Sequence, residues 1–128
     1  MEATQVLFYT FVALILFLYV RRRLFLRSLP QYTPHEAAEK VKQNVAVLLD
    51  VRTPDERRLG AIKGSLHIPL HEVRRRAGGL EKHRNKEIIC YCATGSRSLS
   101  AAATLKKLGF TTGNLKGGIG EWKLSGLR

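Results

Sequence analysis

An uncharged apolar run near the N-terminus constrains this chain more than any other feature of its sequence. Residues 6–20 contain no charged side chain, and Arg21, Arg22 and Arg23 follow them directly. Together with residues 3–5, this run would form an α-helix about 27 Å long, close to a hydrocarbon core of roughly 30 Å. The alternatives are a buried core helix and an amphipathic surface helix, and apolar side chains on every face disfavour the second. The run therefore predicts a single-pass transmembrane anchor.

The charges around the run predict its orientation. A cleaved signal peptide has basic residues before its apolar region and a small-residue cleavage site after it. Here Glu2 comes first, Arg27 extends the arginine cluster behind the run, and no such cleavage site precedes the arginines. The positive-inside rule then places the N-terminus outside and the domain on the cytoplasmic side, in a bacterial inner membrane. We divide the chain into an anchor at 1–23, a juxtamembrane linker at 24–32 and a globular domain at 33–128.

Composition limits the rest of the chain to one small domain. Of the 128 residues, 45% are hydrophobic and 25% are charged, which excludes a disordered chain and a multi-span membrane protein. The net charge of +12 predicts affinity for anions, such as small oxyanions, lipid headgroups or nucleic acid. Nucleic acid is disfavoured because no recognised binding motif is present. The basic stretch at 74–86 is expected to be a solvated face, with contact to anionic lipid as the alternative.

The cysteines favour free thiols over a disulfide or a metal site. Cys90 and Cys92 are too few for a disulfide framework, and strand neighbours two apart lack the geometry for a bridge. Zinc is disfavoured because the sequence has no second cysteine pair. We expect no metal and no organic cofactor, and we interpret Cys90 as an inert core residue.

Strands and helices alternate along the domain. Continuous apolar runs at 45–50 and 87–91 predict strands covered on both faces. Shorter strands are expected at 66–69 and 111–115. The alternation predicts an α/β fold with a central parallel sheet and helices on both faces. The expected helices cover 33–43, 53–59, 70–80 with its end at Gly78–Gly79, 98–108, and 118–124 with the core aromatic Trp122. The first two begin with Thr-Pro-x-Glu, which is a capping box.

The segment after the strand at 87–91 carries the chemistry. Ligands of parallel sheets bind at the carboxyl ends of strands, which points to Cys92-Ala-Thr-Gly-Ser-Arg97-Ser98. Small residues let this segment curl so that its backbone N–H groups point inward, and the next helix adds the positive end of its dipole. We expect this anion site to lower the pKa of the Cys92 thiol below about 8.5, with Arg97 adding a positive charge. The segment predicts a nucleophilic thiolate.

Loop length separates two chemistries that use such a thiolate. Enzymes of the protein-tyrosine-phosphatase type need five residues between Cys and Arg to surround a phosphate. This chain has four, Ala93, Thr94, Gly95 and Ser96. The smaller ring suits one extra sulfur atom on the cysteine better than a phosphoryl group. Phosphatase or arsenate reductase activity is therefore the less favoured alternative.

Five motifs follow one another through the domain. They are Leu48-Leu-Asp-Val-Arg52, Gly60-Ala-Ile-Lys-Gly-Ser-Leu-His-Ile-Pro69, Cys92-Ala-Thr-Gly-Ser-Arg97, Leu108-Gly-Phe110, and Leu115-Lys-Gly-Gly118 with Trp122. In these motifs and in their order, the chain resembles the single-domain rhodaneses of the thiosulfate sulfurtransferase family. The resemblance implies a rhodanese-like α/β fold, here preceded by one N-terminal transmembrane helix.

The resemblance also implies a double displacement through a persulfide. The Cys92 thiolate would take the outer sulfur of a small anionic donor such as thiosulfate, and the loop from Ala93 to Arg97 would hold the persulfide. Cyanide or a thiol would then accept the sulfur. Ala93 and Thr94 are uncharged where relatives that prefer thiosulfate often have basic residues. This leaves room for a protein sulfur donor or acceptor, and a membrane-tethered sulfur carrier with low turnover is the alternative.

Further residues are expected to support the site. Asp50 and Arg52 resemble the family's strand-end pair, and we interpret them as a buried ion pair near the site, with Arg52 also meeting Glu56. Ser96 and Ser98 are expected either to donate to the loop or to cap the helix that begins at 98.

Overall fold

The computed structural model describes residues 2–128, which form a long N-terminal helix followed by a layered α/β domain. The strands are β1 Gln31–Tyr32, β2 Ala46–Asp50, β3 Leu66–His67, β4 Glu87–Tyr91 and β5 Thr112–Leu115. The α-helices are α1 Ala3–Arg27, α2 Pro34–Lys42, α3 Pro54–Arg58, α4 Val73–Arg76, α5 Ser96–Lys107 and α6 Gly118–Leu124. Two 3-10 helices, Leu70–Glu72 and Ala77–His83, flank α4.

The five strands form one parallel sheet in the order β1-β5-β4-β2-β3. Side chains alternate across β4, so that Ile88 and Cys90 lie in one apolar layer and Ile89 and Tyr91 in the other. The first layer includes residues of α4 and α5, and the second includes residues of α2 and α6. Because both faces are covered, β2 and β4 carry apolar side chains on both faces, over residues 46–49 and 88–91. The predicted α/β fold with a parallel sheet is confirmed.

Both predicted capping boxes are present. The Thr33 hydroxyl accepts from the backbone N–H of Glu36 at 3.3 Å, and the Glu36 carboxylate accepts from the N–H of Thr33 at 3.2 Å. Thr53 and Glu56 make the same two bonds at the start of α3, each at 3.2 Å. These bonds satisfy backbone N–H groups that a helix start otherwise leaves unpaired.

Two predicted helix boundaries are wrong. The helix expected to end at Gly78–Gly79 continues as a 3-10 helix to His83, because neither glycine takes a positive φ and the buried Leu80 holds the segment on the core. The helix expected to begin at 98 begins at Ser96. A left-handed turn at Gly95 brings the chain into the helix two residues earlier, so Ser98 lies inside α5 and does not cap it.

Residues 24–32, expected to form a linker, are ordered against the domain. Phe25 and Leu26, in the last turns of α1, pack against the core, and Leu29 is buried. β1 then pairs with β5 as a parallel edge strand. A strand of two residues is too short to show a period in the sequence, which is why the sequence did not predict it. The boundaries of anchor, linker and domain stay predictions.

α1 is a single helix of 25 residues whose apolar side chains at 6–20 are exposed. The mean hydropathy reaches 2.0 over an 18-residue window, and none of that window is buried in the domain. The helix is therefore not a core helix of the domain. It is long and apolar enough to cross a membrane, a property it shares with N-terminal signal sequences.

Candidate active site

The loop between β4 and α5 places the Cys92 sulfur at the start of a helix. Gly95 is the N-cap of α5 and has a φ of +110°, a conformation that favours glycine. Its backbone N–H donates to Cys92 Sγ at 3.0 Å. The Ser98 hydroxyl, in the first turn of α5, lies 3.4 Å from the same sulfur. The sulfur therefore meets hydrogen-bond donors at the positive end of the α5 dipole, which is an environment that stabilises a thiolate.

Opposing effects set the pKa of the Cys92 thiol. Burial raises the pKa, because the residue has no exposed surface. Hydrogen bonds from the Ser98 hydroxyl and from the backbone amides of Ser98, Gly95 and Thr94 outweigh burial, so the pKa is lowered from its ordinary value. Cys90 is equally buried, and there burial and the nearby Cys92 raise the pKa of the thiol. Of the two cysteines, Cys92 is the one that the surroundings activate.

Three residues of the loop interact with the Cys92 sulfur. The backbone amides of Thr94 and Gly95 lower the pKa of Cys92, and the pKa of Arg97 is raised mainly by Glu56 and further by its interaction with Cys92. Thr94 and Ser96 are exposed, whereas Ala93 and Gly95 are half-buried. Because Cys92 itself is fully covered, a ligand reaches the thiol only after neighbouring groups move.

Backbone hydrogen bonds connect the start of α6 to the loop that carries Cys92. The carbonyl oxygen of Cys92 accepts from the N–H of Ile119 at 2.9 Å, and that of Ala93 accepts from the N–H of Gly120 at 3.3 Å. Gly118 has a φ of +62°, and a Cβ there would overlap the Cys92 carbonyl oxygen and the Ala93 carbonyl group. Only a glycine fits at this close approach. The sequence signal for this contact is the pair Gly117-Gly118.

Arg97 and Glu56 join the loop to α3. Arg97 Nη1 and Nη2 donate to the two carboxylate oxygens of Glu56, and this bidentate pair lowers the pKa of Glu56 to about 2. The predicted contact of Arg52 with Glu56 is limited to the backbone carbonyl, at 3.4 Å. The Glu56 carboxylate is held by Arg97, while Arg52 turns to Asp50.

Asp50 and Arg52 form the expected buried ion pair at the end of β2. Arg52 Nε and Nη2 donate to the Asp50 carboxylate at 3.0 and 2.8 Å, and both residues are buried. Burial raises the pKa of Asp50, but the bonds from Arg52 outweigh it and the pKa is lowered. The Tyr91 hydroxyl also donates to Asp50, at 3.1 Å. The ion pair lies at the end of β2, and the bond from Tyr91 connects it to the end of β4. That the pair supports the site stays a prediction.

Asn114 is the site residue that the sequence reasoning missed. It is buried in β5, and its side-chain amide donates to Gln31 Oε1 at 2.9 Å and to the carbonyl oxygen of Gly95 at 3.2 Å. Its Oδ1 accepts from the Ser98 hydroxyl at 2.6 Å. The single proton of that hydroxyl thus has two acceptors, Asn114 and the Cys92 sulfur. A polar residue within a short buried strand is the one signal that could have revealed it.

The described part of the chain, residues 2–128, contains no cluster of three or more His, Cys, Asp or Glu side chains that could hold a metal ion.

The parallel α/β sheet places the Cys92 thiol at the carboxyl end of a strand and next to a helix N-terminus, which is where ligands of open α/β sheets bind. Residues 33–125 match the family described as the rhodanese-like domain. The chain belongs to the rhodanese-like family.

Individual relatives agree with this assignment. The chain is 35% identical over 96 residues to a protein of Allochromatium vinosum named as a sulfurtransferase, covering 70% of this chain and 88% of that protein. It is 38% identical over 97 residues to a Bacillus subtilis protein named "Putative sulfur carrier protein YrkF", covering 74% of this chain and about half, 51%, of YrkF. The crystal structure of a rhodanese-related protein from Thermoplasma volcanium superposes with a TM-score of 0.70 at 33% identity, covering 77% of this chain and 95% of that one.

Proposed function

We propose that this chain is a sulfurtransferase that carries a sulfane sulfur on Cys92. The observation that supports it most directly is the Cys92 sulfur, which accepts the N–H of Gly95 at 3.0 Å at the head of α5. The lowered pKa of Cys92 increases the share of the thiol that is ionised, and the thiolate is the nucleophilic form. Rhodanese-like relatives named as sulfurtransferases support the same reaction class.

The reaction has two displacement steps. In the first, the Cys92 thiolate attacks the outer sulfur of thiosulfate or of another persulfide donor. The S–S bond of the donor breaks, sulfite or the donor thiolate leaves with its electron pair, and a Cys92 persulfide forms. In the second, an acceptor thiolate or cyanide attacks the outer sulfur and releases the Cys92 thiolate. The terminal sulfur of the persulfide carries the negative charge, and the positive end of the α5 dipole next to Cys92 would stabilise it.

The proposed location is a membrane, with α1 as a single-pass anchor. Its exposed apolar surface and length fit a bilayer. The arginines that follow residue 20 support a cytoplasmic domain and an external N-terminus. A reducing compartment also keeps Cys92 free for the reaction.

Intact mass measurement tests the proposal. The full chain, purified in detergent and incubated with thiosulfate, is expected to gain the mass of one sulfur atom and to lose it on addition of cyanide. Cys92→Ser removes the nucleophile and should abolish the gain. Cys90→Ala is the matched control, because Cys90 is buried and is not activated, and it should load normally. Loading that persists in Cys92→Ser would contradict the mechanism.

The second candidate is a sulfur carrier that loads once and turns over slowly. Two observations favour it: Cys92 has no exposed surface, and one relative is named as a sulfur carrier. Stoichiometric loading from a protein persulfide, such as a cysteine desulfurase, without catalytic thiosulfate:cyanide turnover would support the carrier. Multiple turnovers with thiosulfate would support the enzyme.

A further inference from the structure

A groove of about 540 Å³ lies where the end of α1 meets the end of α5. Its lining combines two apolar side chains, Leu18 and Phe25, with three cations, Arg21, Arg22 and Lys107. Leu18, Arg21, Arg22 and Phe25 share one face of α1, because they are spaced three and four residues apart. Lys107 approaches the same face from α5, with its Nζ 5.2 Å from the centre of the Phe25 ring.

The groove has an excess of positive charge. None of its three cations forms a salt bridge with a carboxylate within residues 2–128. The carbonyl groups at the end of α5 carry partial negative charge, which is small beside three full positive charges. Two guanidinium groups and an ammonium facing one space match a phosphate, which accepts several charge-assisted hydrogen bonds.

The groove lies at the depth of lipid headgroups if α1 spans a bilayer. Arg21 is the first charged residue after the apolar run, so it marks the boundary of the hydrocarbon core. Leu18 lies one helical turn closer to the hydrocarbon, where it would meet acyl chains rather than a headgroup. The apolar part of the groove thus faces the depth of the acyl tails, and the cationic part faces the depth of the headgroups of an anionic phospholipid.

The domain holds the second wall of the groove in place. Phe25 and Leu26 pack against the core, and Lys106 Nζ donates to Ser28 Oγ at 3.4 Å. Lys107 therefore belongs to a rigid contact between the anchor and the domain. This differs from a flexible basic tail, which attracts anionic lipid only through its summed charge.

We infer that this groove binds the phosphate headgroup of one anionic phospholipid and thereby fixes the domain on the membrane surface. The inference rests on the proposed insertion of α1 and does not depend on sulfur transfer. α5 is about 18 Å long, and Cys92 lies near its other end. Lipid binding and sulfur loading are therefore expected to be separable.

Native mass spectrometry of the detergent-solubilised full chain tests the site. Phosphatidylglycerol and phosphatidylcholine with the same acyl chains are added, and the lipid-bound fraction is measured. We expect one phosphatidylglycerol to be retained, and the double variant Arg21→Gln/Arg22→Gln to weaken its binding roughly 30-fold, from about 1 kcal/mol per juxtamembrane cation. Lys107→Gln should weaken binding in the same direction.

A matched variant separates a built groove from general charge. Arg23→Gln/Arg27→Gln removes two cations from the same juxtamembrane region outside the groove. This variant should keep phosphatidylglycerol, with helix content and thermal unfolding checked by circular dichroism for every variant.

Four results would overturn the inference. These are equal retention of the two lipids, equal weakening by the groove and control variants, displacement of the lipid by glycerol phosphate at the same concentration, and a full chain that stays soluble without detergent. The last would remove the membrane insertion on which the inference rests. Sulfur loading of Cys92 should be unchanged in all these variants, so a failure of the lipid site would leave the proposed function untouched.

Discussion

The guanidinium group of Arg97 binds the carboxylate of Glu56 through two parallel hydrogen bonds, at 2.7 and 2.8 Å. The two residues are 41 positions apart in the sequence, and the pair joins the first turn of α5 to the first turn of α3. Glu56 at the same time completes the capping box of α3. The Glu56 carboxylate thus caps α3 and also connects α3 to the loop that holds Cys92.

Removing the charge of Glu56 should reduce stability in a pH-dependent way. The folded-state pKa of Glu56 is about 2, below the ordinary 4.5, so its stabilisation is complete above pH 4.5 and is lost as the pH falls through 2. Both side chains are about one-third exposed, which limits the effect to about 0.5–1 kcal/mol. Glu56→Gln should lower the midpoint of thermal unfolding in detergent by about 2–6 °C at pH 6. The difference from the wild type should shrink at pH 2.

Glu36→Gln is the control for this experiment. Glu36 completes the same kind of capping box on α2, and no arginine pairs with it within residues 2–128. Its replacement should change the unfolding temperature little at either pH. An equal loss in both variants would show that Glu56 acts as a cap and not through Arg97.

Ser98→Ala should raise the pKa of the Cys92 thiol. The variant removes the hydroxyl that lies 3.4 Å from the sulfur, and that hydrogen bond lowers the pKa of the thiol in the wild type. At a fixed pH below the pKa, a higher pKa means less thiolate. The rate of sulfur loading should therefore reach its half-maximum at higher pH in the variant. The measurement is the pH profile of single-turnover loading with thiosulfate.

Ser100→Ala is the matched change on the same helix, because Ser100 has no contact with the sulfur and uses its backbone carbonyl to bind Thr104. Its pH profile should coincide with that of the wild type. A profile for Ser98→Ala that does not shift would mean that backbone amides alone set the pKa of Cys92.

Asn114→Ala should loosen the loop around Cys92. Its amide holds the Gly95 carbonyl and Gln31, and its loss leaves buried polar groups unpaired, which costs about 1–3 kcal/mol. We expect both a lower unfolding temperature and slower sulfur loading. Thr112→Val is the control, because Thr112 makes one buried bond in the same strand, from its hydroxyl to the Ala102 carbonyl, away from the loop. If the two variants load sulfur equally fast, Asn114 has only a structural role.

Gly118→Ala and Gly120→Ala should have opposite effects on stability. Gly118 has a φ of +62° and a Cβ there would overlap the carbonyl of Cys92, so we expect a loss of about 2 kcal/mol or more. At Gly120 a Cβ would lie 3.5 Å from the carbonyl oxygen of Ala93, an ordinary contact, inside a helix where alanine is favoured over glycine by about 0.5–1 kcal/mol. Thermal unfolding of both variants measures the difference. Tolerance of Gly118→Ala would contradict the close approach of α6 to the loop.

Local features of the fold were predictable because neighbouring residues carry their signals. The capping boxes at Thr33 and Thr53 lie within four consecutive residues, and both are present. β2 and β4 were visible as continuous apolar runs, since a strand covered on both faces carries apolar side chains on both of them. The strand at 87–91 has the predicted bounds.

Boundaries that depend on tertiary contacts were not predictable. Gly78 and Gly79 predicted a helix end, but Leu80 continues into the core and keeps the segment helical. Ser98 looked like a helix cap, but the left-handed Gly95 takes that place. In both cases packing outweighs the local preference of the residue.

The sequence by itself determined the apolar N-terminal helix, the α/β class and the segment from Cys92 to Arg97, since each is a pattern within one continuous stretch. Only the tertiary structure decided which side chains meet at that segment. The bond from Asn114 to Gln31 joins residues 83 positions apart, and the one from Ser98 to Asn114 joins residues 16 apart. These partners follow from the order of strands in the sheet, which is set by burial of the whole core and not by any local run of residues.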